Sequence, residues 1–430
     1  MKNFLKNIVT YILITQSKLV LRKYKPKIVA VTGSVGKTST KDAIYTAMLP
    51  FFYVRKSAKS YNSEIGIPLT VIGVPNGWNN YKIWIKNILH GFYILIFKEH
   101  YPEWLILEIG ADRPGDILSI TKWIKPDISV VTRIGKVPVH VEFYKSVSEV
   151  VNEKMRLAQA TKKDGVLILN SDDEDVIGFK DHCKTHVISF GIENPANVVG
   201  SNINFSYDKN DKVTGMNMKV DVSGSSIPVK LSGVLGRQQI YPVLAAFAVT
   251  YFLKLNLLQV SESFEEGEVS PGRMNVIDGI KKSTIIDDTY NSSPVALEEA
   301  IKTIEATVCK GKKIAVLGDM LELGKFSGAE HIRIGEALVG KFDILVTVGI
   351  RAKNYAEGAI EKGFKKRSVV CFDDSSEAGD FVKEIIKKDD LIFVKGSQGM
   401  RMERVVERVM LNPEFKKDLL VRQDEEWLSR

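Results

Sequence analysis

The sequence predicts an α/β protein of two successive sheet domains, the first with a mostly parallel sheet. Three observations carry that expectation. A short apolar run, Lys27 to Thr32, ends in a glycine-rich turn that opens a helix-compatible stretch; further apolar runs recur between helix-like segments; and 430 residues are too many for one hydrophobic core. With 44% apolar and 26% charged residues the composition is that of a folded chain, which excludes disorder.

Residues 1–27 hold seven Lys or Arg and no acid, so almost all of the net charge of +8 sits in this tail and the other 403 residues sum to +1. A broad nucleic-acid-binding surface is thereby excluded. The tail also carries Phe4, Leu5, Ile8, Val9, Ile12, Leu13, Leu19 and Val20 at roughly helical spacing, and reads as a basic amphipathic helix over 1–26. Lys6 and Lys18 leave too short an apolar run between them to span a bilayer, which takes about 20 apolar residues. No small-residue cleavage site follows, so a secretory signal is not expected. Three cysteines, Cys183, Cys309 and Cys371, show no paired spacing, which suits a reducing cytoplasm without zinc or disulfides.

The first domain is expected to place strands at Lys27–Thr32, Trp104–Leu107, Ile128–Val131 and Val166–Leu169, with helices at Lys37–Met48 and Ser146–Thr161. From Ser201 to Leu231 polar, alternating segments with Gly and Asp turns predict antiparallel strands at the domain edge, followed by a helix from Gln239 to Leu253. A second alternation gives strands at Thr284–Asp287, Lys313–Leu317, Ile344–Val348, Ser368–Phe372 and Leu391–Val394. The boundary is placed at Pro271-Gly272, a turn-forming pair after an acidic stretch.

The strongest local signal is Thr32-Gly33-Ser34-Val35-Gly36-Lys37-Thr38-Ser39 between a strand and a helix. Glycines let backbone N–H groups approach phosphate oxygens, the helix N-terminus adds positive potential, Lys37 reaches the terminal phosphates and Thr38 offers a hydroxyl to Mg²⁺. This is a phosphate cradle, although Val31 stands where the widest P-loop pattern has its first Gly.

The shorter pattern Thr-Gly-Ser-x-Gly-Lys-Thr resembles the ATP loop of the Mur ligase family and of its folylpolyglutamate synthase relatives. Further motifs in order are similar to the branch of that family that adds D-alanyl-D-alanine: Tyr61 to Thr70, Glu108-Ile109-Gly110-Ala111, His140-Val141-Glu142 with Lys154 fourteen residues after the histidine, Gly236-Arg237-Gln238-Gln239, Pro271-Gly272-Arg273, Asp287 to Pro294, and Lys395 to Glu403. The resemblance implies a central P-loop ATPase domain over 27–272 and a Rossmann-like domain over 273–430. It implies ATP-dependent amide formation through an acyl-phosphate, on a peptidoglycan precursor and a dipeptide, in the cytoplasm. By the same resemblance Lys37, His140 and Lys154 are catalytic, and Gly33, Ser34, Val35, Gly36, Lys37, Thr38, Ser39, Gln239, Arg273 and Asp288 bind ATP. Thr38, Glu108, His140 and a carbamylated Lys154 hold two Mg²⁺ ions, and Asn62, Ser63, Asn291, Lys395, Arg401 and Glu403 are candidates for substrate contact. Physical chemistry agrees on the general need: an acyl-phosphate forming beside ATP gathers anionic charge that cations must neutralise, and a bare lysine ammonium would repel a metal where a carbamate would bind it.

The chain also departs from the family. Gln238-Gln239 stands where a His-Asn pair is expected, and Pro242 where a further Asn is expected. Only 26 residues precede Lys27 where the family carries a UDP-sugar-binding domain, so that domain is expected to be absent. The segment from Pro75 to Pro102 is rich in aromatics and aliphatics, with Lys82, Lys86 and Lys98, a composition suited to a membrane interface. With the N-terminal helix it is expected either to form a peripheral patch on an anionic membrane, at the inner face, or to pack on the first domain. A folylpolyglutamate synthase-like ligase and a non-catalytic ATP-binding module at a membrane are the alternative functions.

Overall fold

A computed structural model describes residues 2–57, 64–78, 80–136, 138, 141–265, 270–424 and 427, with the backbone alone for residues 2–5. Among the described residues the strands form two sheets. In the first sheet lie β1 (Lys27–Thr32), β2 (Val54–Lys56), β3 (Trp104–Glu108), β4 (Ile128–Val131), β5 (Val166–Asn170), β6 (His186–Gly191), β7 (Val198–Tyr207), β8 (Val213–Val222) and β9 (Ser225–Ser232). Their order is β2-β3-β1-β4-β5-β6-β7-β8-β9, parallel from β2 to β7 and antiparallel from β7 to β9. Helical crossovers cover both faces of the parallel part, so β3, β4 and β5 are buried at every residue, whereas β9 alternates buried and exposed positions because one of its faces is solvated.

The second sheet holds β10 (Asn275–Asp278), β11 (Thr284–Asp288), β12 (Lys313–Gly318), β13 (Ile344–Val348), β14 (Val369–Phe372) and β15 (Leu391–Lys395) in the order β10-β11-β15-β12-β13-β14. Only β10 runs antiparallel. The helix Arg237–Phe252 joins the two halves. It is apolar all round, is buried from Pro242 to Thr250, and packs on the helix Lys37–Met48 and on the helix Pro294–Ala306 of the second half. One apolar core therefore runs unbroken from Val29 and Ile106 through Phe247 to Ile301 and Phe393.

The expected strands and helices are present, with ends that differ by at most three residues. Three strands were not expected. β2 has only three residues, β6 mixes His and Ser among its apolar positions, and β10 is a short edge strand. The N-terminal segment is a helix, Lys2–Tyr24, packed against the helices Gly66–Ile72 and Tyr81–Ile96. Its buried positions are Leu13, Gln16, Ser17 and Val20, while Ile8 and Leu19 of the expected apolar face are exposed. Two polar residues thus lie on the packed face beside Leu13 and Val20: Gln16 Nε2 donates to the Ile88 carbonyl at 2.9 Å, and Ser17 Oγ lies 3.4 Å from the Pro68 carbonyl.

Candidate functional site at the head of the first sheet

β1 delivers the chain to the Gly33–Gly36 loop, and the helix Lys37–Met48 starts directly after it. Gly33 has φ +144°, and a Cβ there would lie 1.9 Å from Thr132 Oγ1, so the loop can pass β4 only with glycine. Gly36 has φ +83° and is the N-cap of the helix; without a side chain it offers no cap, which leaves the first-turn N–H groups to the loop's concave side. The amides of Ser34 and Val35 both donate to the Arg133 carbonyl, at 2.8 and 3.0 Å, and this pins the loop to the end of β4. Lys37 Nζ folds back over the loop and donates to the carbonyls of Gly33 at 2.9 Å and Ser34 at 3.3 Å. Burial lowers the Lys37 pKa; the carboxylates of Glu108, Asp112 and Glu322 oppose that and Arg273 adds to it.

Glu108 ends β3 in register with Val31 of β1, which sets its carboxylate beside the loop. It is buried, its Oε2 has no hydrogen-bond partner among the described residues, and it lies 3.9 Å from Lys41 Nζ. Lys154 lies on the helix Val147–Gln159, whose start is capped by Ser146. Burial, and then the Lys37 charge, bring its pKa down to about 7, with Asp112 and Glu153 opposing. Glu153 is held by other partners, accepting from the Ile117 amide at 2.8 Å and from Arg156 Nε at 2.9 Å. Asp112 was not singled out in the sequence, yet it acts on both Lys37 and Lys154. The available signal was its place four residues after Glu108, in the turn before the helix Asp116–Thr121. His140, Asn62 and Ser63 lie outside the described residues, and among the described residues no three of His, Cys, Asp and Glu converge as a metal cluster.

From the second half come Arg273 and Tyr290. The Arg273 guanidinium lies 3.7 Å from the Tyr290 ring centroid, and the Tyr290 hydroxyl is hydrogen-bonded to Thr38. Burial raises the Tyr290 pKa, Arg273 opposes this and Glu108 adds to it. Gln239 Nε2 donates to the Arg273 carbonyl at 2.6 Å, so this side chain holds the junction, and a pocket of about 90 Å³ lined by Ser39, Gln239, Pro242 and Arg273 opens beside it. Tyr290 lies within the Asp287–Pro294 motif but had been given no role.

The remaining candidates are bound to one another. Asp288 Oδ2 accepts from Lys395 Nζ at 2.6 Å, both buried, and Lys395 also donates to the Asn291 carbonyl at 2.8 Å. Burial lowers the Lys395 pKa and Asp288 opposes it. Glu403 is buried between Arg401 and Arg422, and Arg422 donates to the carbonyls of Thr289 and Tyr290, so this group braces the turn that carries Tyr290. Among the described residues, buried polar atoms without hydrogen-bond partners around the loop include Thr32 Oγ1, Ser34 Oγ, Glu108 Oε2 and Arg273 Nε. A hard carboxylate oxygen among cationic and hydroxyl donors is a set that fits polyphosphate with a divalent ion.

Comparison with known proteins agrees with this geometry. Residues 89–250 match the Mur ligase middle domain, and residues 272–398 match the Mur ligase glutamate ligase domain. The UDP-N-acetylmuramoyl-tripeptide–D-alanyl-D-alanine ligase of Bacillus subtilis is 28% identical over 398 residues, which cover 92% of this chain and 79% of that protein. The MurF ligase of Thermotoga maritima, solved in complex with ADP, superposes with a TM-score of 0.76 at 26% identity, covering 93% of this chain and 83% of that one. Folylpolyglutamate synthase of Mycobacterium tuberculosis has a TM-score of 0.64 at 12% identity, with 91% of this chain and 94% of that one covered, and shares the fold alone. Both matched domains, the glycine loop between strand and helix, and the buried Glu108 beside it lead to one assignment: the chain belongs to the Mur ligase family.

Proposed function

We propose that this chain is an ATP-dependent, ADP-forming carbon–nitrogen ligase that adds D-alanyl-D-alanine to a muramyl tripeptide in peptidoglycan synthesis, in the ATP-containing cytoplasm. The observation that carries the reading is the meeting of Lys37, the buried Glu108 carboxylate, whose Oε2 makes no hydrogen bond and has Lys41 Nζ at 3.9 Å, and Lys154 at one end of the sheet, facing Arg273 and Tyr290 from the second half. The matched names of the relatives supply the substrates.

In this mechanism the loop and Lys37 hold the β- and γ-phosphates, and Lys37 leaves its own carbonyl partners to do so. An oxygen of the tripeptide carboxylate attacks the γ-phosphorus as the bond to the bridging oxygen breaks, and ADP leaves. The amine nitrogen of the dipeptide then attacks the acyl carbon, phosphate departs, and the nitrogen loses its proton. Thr38 and Glu108 would hold one Mg²⁺ ion and Glu108, His140 and Lys154 a second, and the ions when bound would neutralise the charge that gathers on the phosphoryl oxygens. Lys154 would serve there as a carbamate; with a pKa near 7 its amine is neutral often enough for the nitrogen to attack CO₂, releasing one proton to solvent. Arg273 and Tyr290 close over the nucleotide and exclude water from the acyl-phosphate. The reading divides the chain into 27–272 and 273–430, joined through a tight turn at Gly272, where φ is +68° and a Cβ would come 3.0 Å from the Tyr290 nitrogen.

The test is ADP release with UDP-N-acetylmuramoyl-tripeptide, with and without D-alanyl-D-alanine. Release that depends on the dipeptide, and that Lys37→Ala lowers about 1000-fold, is the expected result. Full dipeptide-dependent release by Lys37→Ala would remove the loop from the mechanism.

A further inference from the structure

We propose that the helix Tyr81–Ile96 is a docking surface for an anionic lipid bilayer. Tyr81, Ile85, Leu89, Phe92 and Ile96 are 68%, 53%, 63%, 50% and 73% exposed, and their spacing puts them in one stripe along the helix. Trp78 and Phe97, 51% and 54% exposed, extend the apolar surface past both helix ends. Single exposed apolar residues are ordinary; a continuous stripe of this length marks an interaction surface.

The stripe is held outward. Asn87, Gly91 and Ile94 form the buried face of the same helix, and a Cβ on Gly91 would come 2.3 Å from Gln16 Oε1, so the helix Lys2–Tyr24 lies directly beneath. Lys23 Nζ donates to the carbonyls of Ile94, Leu95 and Phe97, and the Tyr24 hydroxyl donates to that of Ile94, which closes the helix end. With its inner face fixed by these contacts, the helix cannot roll to hide the stripe.

Charge identifies the occupant. Lys82 and Lys86 are exposed among the apolar residues, Lys98 follows, and no acid occurs from Asn80 to Lys98 or in residues 1–27 beneath. Apolar side chains mixed with aromatics and lysines match the boundary between acyl chains and anionic headgroups. A second copy of the chain is a poor fit, since a symmetric pairing of the stripes would bring the lysines of both copies to one seam. The helix lies in the interface plane, because no helix among the described residues is long and apolar enough to cross a membrane. The helix Lys2–Tyr24 also lines, through Lys6, Asn7 and Thr10, a cleft of about 710 Å³ that reaches Asp112, so docking sets the position of that cleft relative to the bilayer.

The surface stands apart from the ligase reading, and its test reads lipid binding. The full chain is sedimented with vesicles of phosphatidylglycerol and phosphatidylcholine, and with phosphatidylcholine alone. Binding to the anionic vesicles that weakens with salt is expected. Ile85→Ser with Leu89→Ser should lower partition at least about tenfold, and Lys82→Ser with Lys86→Ser about fivefold per lysine. Circular dichroism and ADP release on soluble substrates stay unchanged in both variants. Wild-type protein left in the supernatant with both vesicle types would overturn the proposal. So would equal binding by the Ile85→Ser, Leu89→Ser variant, or a concentration-dependent dimer that this variant abolishes in the absence of lipid.

Discussion

Asp288 offers the sharpest test, because a nucleotide contact and a structural counter-ion predict different outcomes there. Its carboxylate is buried against Lys395 Nζ at 2.6 Å, and Lys395 has one further partner in the Asn291 carbonyl. Asp288→Asn leaves a buried ammonium without its counter-charge, which costs about 3–5 kcal/mol when such a pair is broken from one side. The pH dependence has a definite sign. Burial already holds the folded Lys395 pKa below the ordinary 10.5, and removing Asp288 lowers it further. Between that lowered value and 10.5 the unfolded chain binds more protons than the folded one, so stability rises with pH. The variant should therefore rise more steeply than wild type and recover part of its loss at alkaline pH. Removing the second charge as well, in Asp288→Asn with Lys395→Met, should restore most of the stability at neutral pH. Urea unfolding at a series of pH values measures all three proteins, and calorimetric titration with an ATP analogue measures nucleotide affinity. Recovery of folding with persistent loss of affinity assigns Asp288 or Lys395 to the nucleotide. A single variant within about 1 kcal/mol of wild type, or a double variant no more stable than the single one, would refute the reasoning.

Three other outcomes are expected. At pH 7.5 a lysine titrating at 10.5 is uncharged about one time in a thousand, and one titrating near 7 roughly three times in four; labelled bicarbonate should give a carbamate carbon signal that fades below pH 7 and is missing in Lys154→Ala, and activity should follow it. Asp287 is buried, and burial raises its pKa to about 7; between 3.8 and 7 the folded chain binds more protons, so this group's contribution is full below that window and is lost as pH rises through it. Asp287→Asn should thus gain on wild type by up to roughly 1.4 kcal/mol per pH unit across the window, read by thermal melts between pH 5 and 8. Gly33→Ala drives a Cβ into Thr132, whose hydroxyl otherwise donates to the Val35 carbonyl at 2.7 Å; nucleotide affinity by calorimetry should fall at least about tenfold while the folded baseline persists.

The glycine loop was legible because strand, turn and helix signals coincide within eighteen residues, from Lys27 to Ile44. Local periodicity was enough there. It was not enough at Tyr81–Ile96, where the apolar spacing is helical but the stripe faces outward; the residues that decide this are Gln16 and Gly91, which meet only in the folded chain. Nor could spacing show that polar Gln16 and Ser17 would be buried, since their partners are backbone carbonyls more than fifty residues away. At the candidate site the motifs named Lys37, Glu108 and Lys154, which the fold sets near the glycine loop. Tyr290 and Asp112 were not, because their roles arise from register: Asp112 follows the end of β3, which pairs with β1, and Tyr290 is brought to Thr38 from the other half of the molecule.

That last contact bears on how the two halves work together. Thr38, Tyr290, Arg273 and Gln239 form one chain of contacts from the first turn of the loop helix to the joining helix, with Pro271-Gly272 at its base. The turn carrying Tyr290 is in turn held by Arg422, itself fixed by Glu403. Residues near the end of the chain therefore set the position of a ring that touches the phosphate loop more than two hundred residues earlier. The apolar core continues through the same junction, so separating the halves would cost both this chain and the packing of Phe247 against its neighbours. A loose hinge with a free second domain does not fit that arrangement. A closed junction whose polar chain ends on Thr38 does, and it makes the first turn of the loop helix sense directly whether the second half is in place.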